Sequence, residues 1–376
     1  MKKNIIIAAT IYFTALASQN IYAQSISPSG IKRCGTAEYI ALKKQQDSTL
    51  ESRMAKAESD IQAWLKNPPP TAKTVITIPV VVHVVYKTSE QNIPEQYIHQ
   101  LIAQLNKDYG KQNSDWNNTP DAFKPLVADC EIDFCLASKD TNNNPTTGIL
   151  KIPTIINDFS STDEFVKYTA LGGSDIWDHT KYLNLWICNV RGGILGYAPR
   201  PVNGFDKPQE DGVVLHYKAL PGPAAYPAYN KGRTATHEIG HWLDLIHPWG
   251  DDTNSDGICD SNDGPGKCSG DDMISDTPNQ CECNYGCPAY PKIDECTPSS
   301  PGILFMNFMD YANDTCIVMF TEKQKERMYA TLNGFRSELY NSAAEKCSAI
   351  GVNNISIGDN ISFYPNPSDG NIFINI

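Results

Sequence analysis

Beyond its first two dozen residues the chain has no apolar run long enough to cross a membrane, no excess of positive charge, and no cysteine at position 24. A spanning helix needs about 20 apolar residues, so the first lack excludes a membrane span in the body of the chain. With 31 Lys and Arg against 43 Asp and Glu, the formal net charge is −12. That balance offers no basic footprint for nucleic acid and no polybasic patch for an acidic membrane. Gln24, where a lipid-modified N-terminus would need Cys, argues against lipidation.

What is present begins with Met1, Lys2 and Lys3, an apolar stretch over 5–17, and then Asn20, Ile21, Tyr22, Ala23 and Gln24. This is a charged lead, a short hydrophobic region and a cleavage point after Ala23, a secretory signal peptide over 1–23. The alternative, a membrane anchor, is too short. The composition of the 376 residues, 41% apolar and 10% aromatic, suits one large globular domain or two modest ones. The 12 cysteines then belong in an oxidising compartment, where disulfides persist. Eight of them follow Cys188, in a stretch so rich in Gly, Asp, Asn and Pro that covalent staples must replace a core.

Residues 34–67 are polar and helix-like, with Leu50, Met54, Ile61, Trp64 and Leu65 as sparse apolar positions, and they end at Pro68, Pro69 and Pro70. Three prolines cannot continue a helix and favour an extended linker. Residues 24–70 therefore read as a pro-segment, ahead of a main body over 71–349 and a linker and tail over 350–376. Residues 74–86, rich in Val and Ile, predict a buried strand, and Ile98, Leu101, Ile102 and Leu105 predict a helix over 92–109. Residues 130–136 alternate, which puts Cys130 and Cys135 on opposite faces of a strand and argues against a bridge between them. Further strands are expected over 182–190 and 212–216. The half before residue 236 is thus α/β, and the half after about residue 248 is loop-rich with one helix over 321–342. His83, within the first strand, has no partner at ligand spacing and reads as a core residue.

Residues 237–247 read His-Glu-Ile-Gly-His-Trp-Leu-Asp-Leu-Ile-His. On a helix His237 and His241 lie one turn apart, so both imidazoles meet one zinc ion, while Glu238 is turned about 100° away and reaches water beside the metal rather than the metal itself. His247 joins them only if the chain turns near Asp244. Three neutral ligands leave a fourth position open, which marks a catalytic rather than a structural zinc. Glu238 is then the general base of peptide-bond hydrolysis.

The motif resembles the metzincin signature H-E-x-x-H-x-x-G-x-x-H, and Asn307, Phe308, Met309, Asp310 and Tyr311 resemble the Met-turn of the pappalysin branch. Gly232, Arg233 and Thr234, then Asp276, Thr277 and Pro278, then Tyr285, Gly286, Cys287 and Pro288 extend the likeness over about residues 71–345. The resemblance implies an α/β (α+β) metzincin-like fold. Its N-terminal subdomain would hold a twisted mixed sheet and the zinc-binding helix, and its C-terminal subdomain would be loop-rich and disulfide-stapled with one helix. It further implies Met309 as the floor beneath the metal and Tyr311 as a hydrogen-bond donor to the tetrahedral intermediate, against plain core packing for both. Calcium is implied at Asp272, the Ile274 carbonyl, Asp276 and Thr277, in an acid-rich stretch suited to a hard cation. The implied disulfides are Cys268 to Cys296 and Cys287 to Cys316, with the pairing among Cys259, Cys281 and Cys283 left open. Asp244 departs from the family's usual Gly, and Asp enters a positive-φ turn at little cost. The tail, with Tyr364, Pro365, Asn366 and Pro367, resembles the opening of the sorting domain used by type IX secretion in the Bacteroidota; a plain turn is the alternative.

These residues lead to a secreted endopeptidase acting on protein or peptide substrates, made as a latent precursor with its own pro-segment as inhibitor. Cys34, in Lys32-Arg33-Cys34-Gly35-Thr36, can supply a thiolate to the open zinc position, and the resemblance supports such a switch. A disulfide from Cys34 to the body is the alternative. With Cys34 reserved for zinc, 11 cysteines remain, so at least one more stays unpaired, Cys188 being a candidate. Asp314, five residues past Met309, implies by the same resemblance a preference for Arg or Lys immediately after the scissile bond, through pairing in a partly desolvated pocket. A solvated turn residue is the alternative. The Ser52–Arg53 bond would suit that pocket. Two rival classes are a secreted binding protein that keeps the metal without turnover, against which Glu238 argues, and a zinc amidase acting on non-peptide amides.

Overall fold

A computed structural model describes residues 30–68, 75–201, 207–251, 268–340 and 342–347, with the backbone of 362–364 and 373–375. The expected signal peptide, Pro69 and Pro70, Cys259 and most of the expected sorting tail lie outside these residues.

One long strand organises the sheet. In β1 (Ile76–Tyr86) an almost unbroken run of β-branched residues favours extended chain, and such a run belongs where both faces are covered. Its even-numbered side chains, Ile76, Ile78, Val80, Val82 and Val84, enter the main core. On the other face His83 stacks on Trp186 and bonds Ser174 Oγ (2.8 Å) and Asn184 Oδ1 (3.0 Å). Burial pushes its imidazole down to about 4, so it is a neutral core histidine.

β1 pairs in parallel along one edge with β2 (Ile132–Leu136) and then β3 (Ile149–Pro153), and along the other with β4 (Leu183–Cys188). β5 (Gly196–Tyr197) lies antiparallel to β6 (Val213–His216), which itself pairs in parallel with β4. The order β2-β1-β4-β6-β5 makes a mixed sheet whose antiparallel member is an edge. An edge strand leaves backbone groups open to another extended chain. Residues 32–35 take that place: Lys32 N–H donates to Gly193 O (3.0 Å), Leu195 N–H to Lys32 O (2.9 Å), and Gly35 N–H to Gly196 O (2.9 Å).

The helical N-terminal stretch is two helices, α1 (Thr36–Gln46) and α2 (Leu50–Lys66). Between them Asp47 Oδ1 accepts from the Thr49 N–H (2.8 Å) and hydroxyl (2.7 Å), a side-chain turn that competes with helix. α3 (Glu95–Tyr109) packs Ile98, Leu101, Ile102 and Leu105 on the even face of β1, beside Ala235, Ile239 and Trp242 of α4 (Arg233–Trp242).

The second half is loop-rich, as read. The helix expected over 321–342 is shorter, however: α5 (Glu322–Asn333) opens with a Thr321/Gln324 capping box and stops at Gly334, and only short turns of helix follow. Glycine just past a helix is an ordinary stop. Disulfides join Cys268 to Cys296, Cys287 to Cys316, and Cys135 to Cys347. The last closes 212 residues of chain, a span for which chain entropy gives about 5 kcal/mol. Cys130 and Cys188 remain buried thiols.

Candidate metal centre

α4 is fixed at both ends. At its start the Arg233 guanidinium forks onto Asp115 (2.7 and 2.8 Å) and reaches Asp108 (3.2 Å), whose other oxygen accepts from Thr236 Oγ1 (2.8 Å). At its end Asp244 has φ 72°, the left-handed conformation that turns the chain back. Its carboxylate accepts from Arg327 Nη2 (2.6 Å) and Arg200 Nη2 (3.0 Å).

This turn brings three imidazoles together. The Nε2 atoms of His237 and His241 are 3.2 Å apart, those of His241 and His247 3.0 Å, and those of His237 and His247 3.3 Å. Tetrahedral ligands at the Zn–N distance of about 2.0–2.1 Å would be about 3.3–3.4 Å apart. Each Nδ1 meets an oxygen that can only accept: Phe308 O (2.8 Å), Leu245 O (2.8 Å) and Asp251 Oδ1 (2.9 Å). The protons therefore sit on Nδ1, and three Nε2 lone pairs face one another. That convergence is repulsive without a cation and matches the donor set zinc takes. Burial also holds all three imidazoles below their ordinary values, His241 at about 3, so they are neutral and able to ligate.

Close packing sets the surroundings. Gly240 admits Met309 against α4, since a Cβ there would sit 2.5 Å from its Sδ, and Gly196 admits Glu238, whose Cγ would lie 2.7 Å from a Cβ. Tyr311 is buried with its ring 5.0 Å from His247 and 5.7 Å from His237. Cys34 is the fourth member of this group, its Sγ and the three imidazole nitrogens lying within 4.8 Å of one another. Glu238 Oε2 lies 3.5 Å from that sulfur and accepts from Thr36 Oγ1 (3.1 Å), which accepts in turn from Ala198 N–H (3.0 Å). Burial pushes the Glu238 carboxyl up to about 8. Burial and the facing Glu238 push the Cys34 thiol well above its ordinary value; a dication amid the imidazoles would act the other way, since a coordinating thiol is deprotonated outright.

Asp314 is fully buried rather than a solvated turn residue. Its Oδ1 accepts from Arg33 Nη2 (2.9 Å), and its Oδ2 from the backbone N–H of Lys231 (2.9 Å) and Arg233 (3.3 Å). Arg33 also donates to Ala312 O (2.7 Å) and lies over the Tyr229 ring. In the second half, Asp272, the Ile274 carbonyl and Thr277 are brought together by the Thr277 hydroxyl, which lies 2.7–2.8 Å from all three oxygens. Asp276 turns away to Thr321 Oγ1 (2.7 Å) and Lys323 N–H (3.0 Å) at the start of α5. The Ser52–Arg53 bond lies in the first turn of α2 and would have to unwind before it could be cut. Thr36, Arg33 and Asp251 were not singled out for these contacts by any motif; only their closeness in sequence to Cys34 or His247 hinted at them.

Three convergent imidazoles beside a buried carboxylate, at the rim of a sheet whose edge accepts an extended chain, are equipment for hydrolysing polypeptides, and the molecule is a zinc metalloendopeptidase. Comparison with known proteins agrees. A model of the Peptidase_M43 family, described as pregnancy-associated plasma protein-A, matches residues 167–333. An extracellular metalloprotease of Neurospora crassa is 31% identical over 275 residues, 71% of this chain and 78% of that protein. Promirolysin of Tannerella forsythia, solved as a variant, is 42% identical with a TM-score of 0.75, covering 84% of this chain and all of that one. Mature mirolysin of the same organism, in complex with a cleaved peptide, is 46% identical with a TM-score of 0.68, covering 74% and 100%. The chain belongs to the Peptidase_M43, or pappalysin, family, and is an extracellular enzyme. Among the described residues no helix is long and apolar enough to cross a membrane.

Proposed function

We propose that the chain is the latent precursor of an endopeptidase that cuts before Arg or Lys, with residues 24–70 as its inhibitory pro-segment and 71–349 as its catalytic body. His237, His241 and His247 hold zinc, and Cys34 fills the fourth position in the latent form. Bound there, zinc would polarise the scissile carbonyl and acidify water. Glu238 takes the proton and passes it to the leaving amine, and the Tyr311 hydroxyl donates to the oxygen that gains charge. The single observation carrying this reading is that Lys32–Thr36 blocks every part of the site at once. Cys34 stands at the imidazoles, Thr36 caps Glu238, and Arg33 fills the pocket of Asp314.

Arg33 supports the specificity, because a guanidinium already sits where a substrate's basic side chain would. Direction explains why this segment survives. In a substrate the basic residue follows the scissile bond, whereas Arg33 precedes Cys34, so the pro-segment runs through the site backwards. The zymogen form named in promirolysin supports latency for this chain. Calcium remains our reading for the Asp272, Ile274, Asp276 and Thr277 loop, supported by the clustered oxygens of the first two and Thr277. Type IX export is our reading of the tail.

The test pairs two substitutions. Glu238→Ala should keep zinc by metal analysis while losing proteolysis by about 10²–10⁴-fold, the usual weight of a general base; near wild-type turnover would sink the mechanism. Asp314→Ala, profiled on a peptide library, should lose the basic preference after the cut. A preference untouched by that change would remove Asp314 from the role.

A further inference from the structure

The three imidazoles are not held alike. His237 and His241 give their Nδ1–H to the carbonyls of Phe308 and Leu245, which the fold itself fixes. His247 lies past the turn and gives its proton to a side chain, Asp251 Oδ1, at 2.9 Å. Stacking on Trp249 (4.6 Å, 6°) sets the plane of the His247 ring but not its rotation within that plane. Asp251 Oδ2 is buried without a hydrogen bond, and Arg200 Nη1 lies 3.7 Å from an oxygen of that carboxylate. Arg200 is itself anchored, through Nε (3.1 Å) and Nη2 (3.0 Å), on Asp244 Oδ1. Asp244 is held by Arg327 at both its carboxylate (2.6 Å) and its carbonyl (2.8 Å).

We propose that Asp251 is the positioning residue for His247, and that Arg200, carried by Asp244, fixes Asp251. The line Arg327, Asp244, Arg200, Asp251 then sets the tautomer and aim of the third zinc ligand, as carboxylates behind ligating histidines do. A glycine at 244 would give the turn alone; aspartate gives the turn and the anchor for Arg200. The inference rests on the three-histidine zinc reading.

The test uses the zinc-loaded full chain challenged with a chelator, with released zinc followed by an indicator dye. Asp251→Ala should weaken zinc retention about 10–100-fold, the usual cost of losing such a partner. Asp251→Glu should recover part of it, and Asp244→Gly should show a smaller loss. With cobalt in place of zinc, Asp251→Ala should shift the visible spectrum while the melting of the metal-free protein stays that of the wild type. Wild-type zinc release and spectrum in Asp251→Ala would overturn the inference, as would a faster release that merely tracks lower metal-free stability. A wild type that takes up no zinc would overturn the three-histidine reading and this inference with it. Normal wild-type binding with a silent Asp251 series overturns this inference alone.

Discussion

The two ends of the N-terminal segment grip the body by different physics. Around the site, Arg33, Cys34 and Thr36 are wholly buried: Arg33 contacts Asp314, Cys34 and Thr36 both contact Glu238, and Cys34 also stands at the imidazoles. Along α2 only Ala57 and Ile61 are buried, and an ion pair joins Glu58 to Arg327 of the body. The first grip is specific and covers the chemistry; the second is a helix laid on a surface. If the segment is the inhibitory pro-segment proposed above, the contrast predicts that latency is decided over five residues, while the helix sets how easily the rest of the segment lifts.

The sharpest way to break that contrast is Cys34→Ala. Losing one thiolate ligand to zinc is worth a few kcal/mol, so activation of the precursor, followed on gels, should speed up by on the order of a hundredfold. Unchanged latency would move the lock elsewhere. Arg33→Ala comes next. It leaves a buried carboxylate without its cation, but Asp314 keeps two backbone donors, so a cost of about 2 kcal/mol and a roughly thirtyfold faster activation are expected. Glu58→Gln is the mildest: a partly exposed pair is worth about 1 kcal/mol or less, a few-fold in rate. If it matched Cys34→Ala, the contrast between the two grips would be wrong. Its pH dependence sharpens the point. Burial alone would raise the Glu58 carboxyl, but the Arg327 guanidinium outweighs this and holds it at about 2, below its ordinary value. A depressed carboxyl stabilises above its ordinary range and loses that contribution only as pH falls towards about 2. The ratio of wild-type to Glu58→Gln activation rates should therefore stay constant between about pH 8 and pH 5.

Much of the arrangement was legible. The Val- and Ile-rich run over 74–86 gave β1 as a buried strand, and the spacing of His237, His241 and His247 with an aspartate at 244 foretold both the convergence and the turn. What stayed hidden has physical reasons. β5 is two residues long and begins with Gly196, too short for any period, and β3 carries Lys151 in its middle. The break at Asp47 and the stop at Gly334 came from local turn chemistry inside stretches whose polar character read as continuous helix. The pairing of Arg33 with Asp314 joins residues 281 apart, which no spacing rule reaches. Asp251 was one acid in a stretch crowded with acids, and only the ring of His247 distinguishes it.

The bridge from Cys135 to Cys347 has a consequence for an enzyme that works among copies of itself. The zinc helix, the Met-turn and the Cys268–Cys296 and Cys287–Cys316 bridges lie between those two cysteines. A neighbour that nicks any single loop within that span produces two chain pieces but still one molecule. Self-digestion of this kind leaves the pieces tethered at the strand edge and the end of the body, where packing can hold them in register, so fragments would separate under reducing conditions while the unreduced enzyme kept its mass.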